Sequence, residues 1–172
     1  STLNANGTRR GVSDRRANLA VVPIGADGTI RLLLHNVDDA VVDVVGWFTD
    51  ADAASSTDGR FRRLDPVRVV DTRRRLGFGP LGPGASAAFR YRPPISGAGA
   101  VVHNLALAPS ADQGFLTAYP TGGSLPLVSN TNATRPGQVR AALAVTPLSS
   151  GSATFFSQRG TQLVVDVFGY LD

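Results

Sequence analysis

Val164-Val165-Asp166-Val167-Phe168-Gly169-Tyr170 has a near-twin in Val41-Val42-Asp43-Val44-Val45-Gly46-Trp47. Each is a run of β-branched residues with one carboxylate in the middle and a glycine-aromatic ending. β-Branched side chains suit a pleated, packed surface, and the run is too short for a buried helix, so each copy reads as a buried strand that closes a structural unit.

Working outward, the units repeat. Asn18-Leu19-Ala20-Val21-Val22-Pro23 lines up with Asn104-Leu105-Ala106-Leu107-Ala108-Pro109 and with Ala142-Leu143-Ala144-Val145-Thr146-Pro147. A glycine and a further strand follow each: Gly28 before Thr29-Ile30, Gly114 before Phe115-Leu116, Gly151 before Ser152-Ala153. The first and third copies run into the closing strand. The second runs instead into Ser129-Asn130-Thr131-Asn132-Ala133, which resembles Ser1-Thr2-Leu3-Asn4-Ala5. Residues 1–50 therefore match residues 129–172, and the chain divides into a half-module (1–50), a small, polar, acidic linker (51–59) and a full module (60–172).

Alternating or apolar runs predict strands at 17–23, 29–34, 40–48, 60–72, 85–92, 100–108, 115–119, 139–146, 153–157 and 162–171, separated by glycine- and proline-rich turns. No stretch holds helical periodicity. The fold class is all-β: a β-sandwich of jelly-roll type built from internal repeats, with a β-trefoil-like or β-prism arrangement as the alternative because three unit copies can be counted. Half a β-module exposes unpaired strand edges, so residues 1–50 are expected either to pack on the full module or to belong to a module whose other half precedes Ser1.

A chain of 172 residues, 42% hydrophobic and 17% charged, is long enough and apolar enough to fold around a core. No run of about 18 apolar residues could span a bilayer, so membrane insertion is not expected. The opening at Ser1 has no leader-like character and is expected to be an internal point of a longer chain. With no Cys, disulfides, thiolate zinc sites and thiol nucleophiles are excluded. All 17 basic residues are Arg, and the net charge of +4 is modest and scattered over several loops, which reads as solvated surface and argues against nucleic acid.

Asp65-Pro66-Val67-Arg68-Val69-Val70-Asp71-Thr72-Arg73, Gly114-Phe115-Leu116-Thr117-Ala118-Tyr119-Pro120, Ser129-Asn130-Thr131-Asn132 and the closer Val164 to Tyr170 together resemble a tandem all-β repeat module of secreted actinobacterial proteins. The resemblance covers nearly the whole chain. It implies an extracellular or cell-surface accessory module found in tandem and beside hydrolase domains, with neighbouring domains of the parent chain as partners; it transfers no binding residue.

Asp43 and Asp166 lie within apolar strands, where an unpaired carboxylate is costly. Arg16 and Arg140 stand at matching positions before the first strand of each copy, which predicts the structural pairs Arg16–Asp43 and Arg140–Asp166. Arg68, Asp71 and Arg73 form the most chemistry-like cluster: with Asp71 and Arg73 on one strand face they could bind sugar hydroxyls or a carboxylate. Alternatively Asp71 accepts Arg or backbone hydrogen bonds and pins the glycine-rich loop that follows. Tyr91 and Tyr119 are the aromatic candidates for exposure and sugar contact, whereas Trp47 and Tyr170 read as core or rim.

The two histidines, His35 and His103, are not clustered, and no serine sits in a Gly-x-Ser-x-Gly setting, so no hydrolase triad, metal site or cofactor is called for. The function expected is a non-catalytic module binding a carbohydrate or anionic envelope polymer, or positioning a neighbouring catalytic domain on it. A structural stalk without a small ligand is the alternative, and an enzyme with a carboxylate site a third reading.

Overall fold

The computed structural model describes residues 16–34, 39–49 and 53–172. Its strands lie between Phe61 and Leu171: β1 (Phe61–Asp71), β2 (Ala85–Arg90), β3 (Ala100–Ser110), β4 (Gly114–Pro120), β5 (Thr131–Ala133), β6 (Arg140–Pro147), β7 (Ser152–Ser157) and β8 (Thr161–Leu171). They form two four-stranded sheets, β1-β8-β3-β6 and β2-β7-β4-β5, with every pairing antiparallel. Successive strands alternate between sheets from β1 to β4 and again from β5 to β8, which is the winding of a jelly roll. The sandwich is formed, and the trefoil and prism alternatives are not.

Alternation decides what fills the space between the sheets. Leu163, Val165 and Val167 of β8 point inward beside Val101 and Leu105 of β3, and Leu116 of β4 and Phe155 of β7 complete the centre. All are essentially without solvent contact. The closing strand is thus flanked on both sides, by β1 and β3. Its outward residue Asp166 stands directly opposite Arg68 on β1.

Pro66 does not interrupt β1. Arg63 pairs with Gly169 and Val67 with Val167, so residues 64–66 of β1 oppose Phe168 alone and form a bulge on an edge strand. An edge bulge is where a residue without an N–H donor is tolerated. β5, only three residues long, has too little alternation to be legible and was not expected as a strand.

The larger correction concerns the first 50 residues. Strands were expected at 17–23, 29–34 and 40–48, yet among the described residues of 16–34 and 39–49 none is formed, and their apolar side chains are exposed apart from the half-buried Ala17 and Leu19. Residues 35–38, including His35, lie outside the described residues. The physical reason is in the topology of the full module. By the repeat, these stretches correspond to β6, β7 and β8, and no two of those strands pair with each other: β6 pairs with β3, β7 with β2 and β4, β8 with β1 and β3. A half-module therefore carries strand-like sequence without a single internal ladder.

Candidate functional site

The Arg68–Asp71–Arg73 cluster turns out to be closed on itself. β1 ends at Asp71 and the chain enters a 3-10 turn, Thr72–Arg74, so Arg73 reaches back over Asp71 instead of following it along a strand. Arg73 donates from Nε to Oδ1 at 2.8 Å and from Nη2 to Oδ2 at 2.7 Å. Arg68 adds Nη1 to Oδ2 at 3.4 Å, while its Nε and Nη2 form a fork onto Asp166 at 2.8 and 3.1 Å. Such bidentate, charge-assisted contacts leave few lone pairs for a ligand.

The side chain of Asp71 is 1% exposed although both arginine side chains over it are more than 40% exposed, so the arginines roof it over near the surface. Hydrogen bonding from Arg73, aided by the positive charge of both arginines, holds the carboxyl down to about 2. The loop is anchored at the same point. Asp71 and Leu76 exchange backbone hydrogen bonds at 3.1 Å in both directions, and Arg75 adopts a left-handed φ of 57° between them. Thr72, beside Asp71, donates to Gln162 Oε1 at 2.7 Å and accepts the Leu163 N–H at 2.8 Å, tying the turn to β8. The Asp-Thr-Arg motif is a clamp between the opening and closing strands.

The predicted partner of Asp166 is corrected in the same region. Asp166 is paired, but with Arg68 of β1 and not with Arg140 of β6. The register places Asp166 beside Asn104 and Arg140 beside Leu107, three residues further along β3. Asp43 is exposed. Its counterpart Asp166 takes its partner from an opening strand, which residues 16–49 do not contain.

Tyr91, expected to be exposed, is buried. Its ring meets Phe89 edge-on at 5.0 Å, and its hydroxyl lies 3.4 Å from Nδ1 of His103, whose Nε2 is 2.8 Å from Oγ1 of Thr146. A neutral imidazole accepting from Tyr91 and donating to Thr146 satisfies all three. Burial pushes the imidazole down to about 3 and the phenol up. Such a group, enclosed in the core, is a structural polar relay with no access for a substrate. Among the described residues no buried side-chain polar atom is left without a partner.

An open polar groove of about 350 Å³ lies at one end of the second sheet. Asp112 and Gln113 come from the β3–β4 connection, Phe115 from β4, Asn132 and Thr134 from β5 and the residue after it, and Gln158 and Arg159 from the β7–β8 connection. The two connections meet because β3 and β8 are neighbours: Ser110 pairs with Thr161, the Ala111 N–H donates to Gly160 at 2.9 Å, and the Gln158 N–H donates to Phe115 at 3.0 Å. Arg159 lays its aliphatic stem across Gly114, where a β-carbon would stand 2.9 Å from its Cγ. Phe115 packs against Phe156 at 5.8 Å on the outer face of the sheet.

Of the residues expected to bind, only Tyr119 lies on this face. It is half-buried, follows Phe115 by four residues on β4, and is about 13 Å away at the rise of a strand. None of the groove residues was singled out from sequence as a binding residue. Ser110-Ala111-Asp112-Gln113-Gly114 and Ser157-Gln158-Arg159-Gly160 read as two ordinary polar turns, and only their joint placement after an inter-sheet strand and before another hints that they meet.

Chemically, the groove offers planar amides, a guanidinium, one carboxylate and an aromatic flank. The chain matches no family model and no curated protein.

Proposed function

We propose that residues 60–172 form a non-catalytic module that binds a carbohydrate chain, or a related polyhydroxylated envelope polymer, in the groove at Asp112, Asn132, Gln158 and Arg159. The observation that carries this reading is the groove's composition. Amide and guanidinium groups donate and accept in pairs that match vicinal hydroxyls, and a neighbouring aromatic offers a flat apolar surface for a sugar face. Hydrolysis of a glycosidic bond ordinarily uses two carboxyl groups flanking it, whereas Asp112 is the one carboxylate among the groove's lining residues. An extracellular or surface setting, where such polymers are found, belongs to the same reading.

The test is retention on a panel of insoluble and soluble polysaccharides. Arg159→Ala and Asn132→Ala are each expected to weaken binding by about tenfold, the effect of one or two lost hydrogen bonds. Tyr119→Ala should weaken it less. Arg68→Ala, which breaks the clamp outside the groove, should leave affinity unchanged. Retention that survives loss of both Arg159 and Asn132, or its absence on every polymer, would sink the reading.

A structural array unit is the second reading, favoured by the three strand-like stretches of residues 17–49, which have no ladder of their own.

A further inference from the structure

We infer that residues 17–34 and 39–49 are a set of three acceptor strands for a first-half unit of the same repeat, equivalent in fold to β1–β4, supplied from outside residues 1–172. The interface they would form is already visible within the chain, between β6–β8 and β1–β4. It consists of the ladders β6 to β3, β7 to β2 and β4, and β8 to β1 and β3.

Two glycines carry this beyond a resemblance of apolar pattern. Gly169 sits under β1 so closely that a β-carbon would stand 2.5 Å from the Arg62 carbonyl and from the Phe61 ring. Its counterpart Gly46 has nothing within 4 Å. Gly151, at φ +72°, would meet the backbone of Ser96 at 2.6 Å, and its counterpart Gly28 keeps the left-handed backbone at φ +76° with nothing within 4 Å. Both glycines of the full module are crowded by residues of its first half. In residues 17–49 the same two positions hold glycine where no crowding exists, which makes sense if a first half closes over them.

A second copy of this chain cannot be the occupant. Each copy holds one first half and, by the repeat, two second halves, so any exchange of strands between copies leaves one second half per chain without a ladder. Only a first-half unit from elsewhere balances the count.

The experiment extends the full chain. Residues 53–128 are placed ahead of Ser1, so that a first half runs directly into residues 1–50, and Trp47 is followed by fluorescence. It is the chain's only tryptophan and is 78% exposed, whereas its counterpart Tyr170 is partly buried against the core. The extended chain is expected to show a blue-shifted Trp47 emission, acrylamide quenching reduced severalfold, and new amide-exchange protection in 17–49. The same extension with Leu105→Asp in the added copy alone should lose all three, while protection of residues 60–172 persists. Trp47 as quenchable as before in the unmutated extension would overturn the inference. So would a concentration-dependent dimer of the unextended chain that shields Trp47.

Discussion

Residues 29–48 and 152–171 share a pattern and differ in every consequence of it. Leu32 and Phe155 occupy one repeat position, Val42 and Val165 another; the first of each pair is more than half exposed and the second has no measurable solvent contact. Intrinsic preference is therefore not what separates them. A strand is a relation between chain segments: its backbone groups are satisfied by a neighbour, and its apolar face is worth something only against another face. β8 has β1 and β3 on either side. Residues 41–48 have no such neighbours, because the topology assigns both to a first half.

The sharpest way to break that comparison is to truncate equivalent residues. Phe155→Ala removes a ring from the centre of the sandwich and is expected to cost about 3–5 kcal/mol, enough to threaten folding of the module. Leu32→Ala, at the matching repeat position, should change stability by less than about 0.5 kcal/mol, as exposed substitutions do. Urea unfolding of both variants decides. A comparable loss for Leu32→Ala would mean that residues 17–49 already pack on the module, and the account of the missing ladder would fail.

Acid should expose the same asymmetry, because among the described residues the buried titratable groups lie in the full module. His103 is held neutral down to about 3, below its ordinary value of 6.5. Between those values the unfolded chain takes up a proton that the native ring refuses, so stability falls as pH drops from about 6.5 toward 3, by about 1.4 kcal/mol per unit of pH at most. His103→Gln is expected to lower stability overall yet to flatten this slope. A slope that survives the substitution would place the acid sensitivity elsewhere.

Asp71 acts in a lower window. Its carboxyl is depressed from 3.8 to about 2, so its contribution is complete above 3.8 and disappears as pH falls through 2. Asp71→Asn should remove that second step and leave the first.

Ion pairing is a smaller effect and a finer comparison. Asp166→Ala breaks the fork from Arg68, a pair that is partly exposed on both sides, and should cost about 1 kcal/mol or less. Asp43→Ala, its counterpart in the half-module, should have no measurable effect on unfolding. Equal losses for the two would indicate that Asp43 has found a partner of its own.

How much of this was legible in the sequence follows the same division. β2, β3, β4, β6, β7 and β8 announce themselves because alternation is a local property, and their boundaries shift by only a few residues. The inward set of β8 is legible for the same reason. Partnership is not local. Arg140 was matched with Asp166 because each precedes or ends a repeat copy, whereas the true cross-strand neighbour, Arg68, is 98 residues earlier and arrives only when the opening strand lies beside the closing one.

Tyr91 sits between Arg90 and Arg92 and before two prolines, a polar setting that suggests the surface. The ring is instead turned inward, where Phe89 and His103 receive it. The groove is the extreme case. Asp112 and Arg159 are separated in sequence by four strands, β4 to β7, and meet only because β3 and β8 are neighbours, so no reading of either turn alone could have joined them. The Asp-Thr-Arg motif lies between these cases: the pinning role of Asp71 was weighed from sequence, but the turn that brings Arg73 back over it was not.

The smallest effect expected is also the most general test. Removing residues 1–57 should leave the urea midpoint and the acid profile of the module unchanged, because among the described residues every strand and every residue of the core cluster lies in 61–171. The chain closes on itself at its own boundary, where Asp172 accepts from the Gly59 N–H and donates to the Arg60 carbonyl at 3.1 Å, so the cut at 57 spares the last ladder contacts. A lowered midpoint in the shortened chain would show that residues 17–49 shield some part of the sandwich, and the place to look would be the outer face of β6, the edge strand where Leu143 is exposed. An unchanged midpoint would assign all of the stability to one module, and with it the neutral His103, the Asp71 clamp and the groove. The first segment would then be left with a single physical role, that of a surface awaiting its other half.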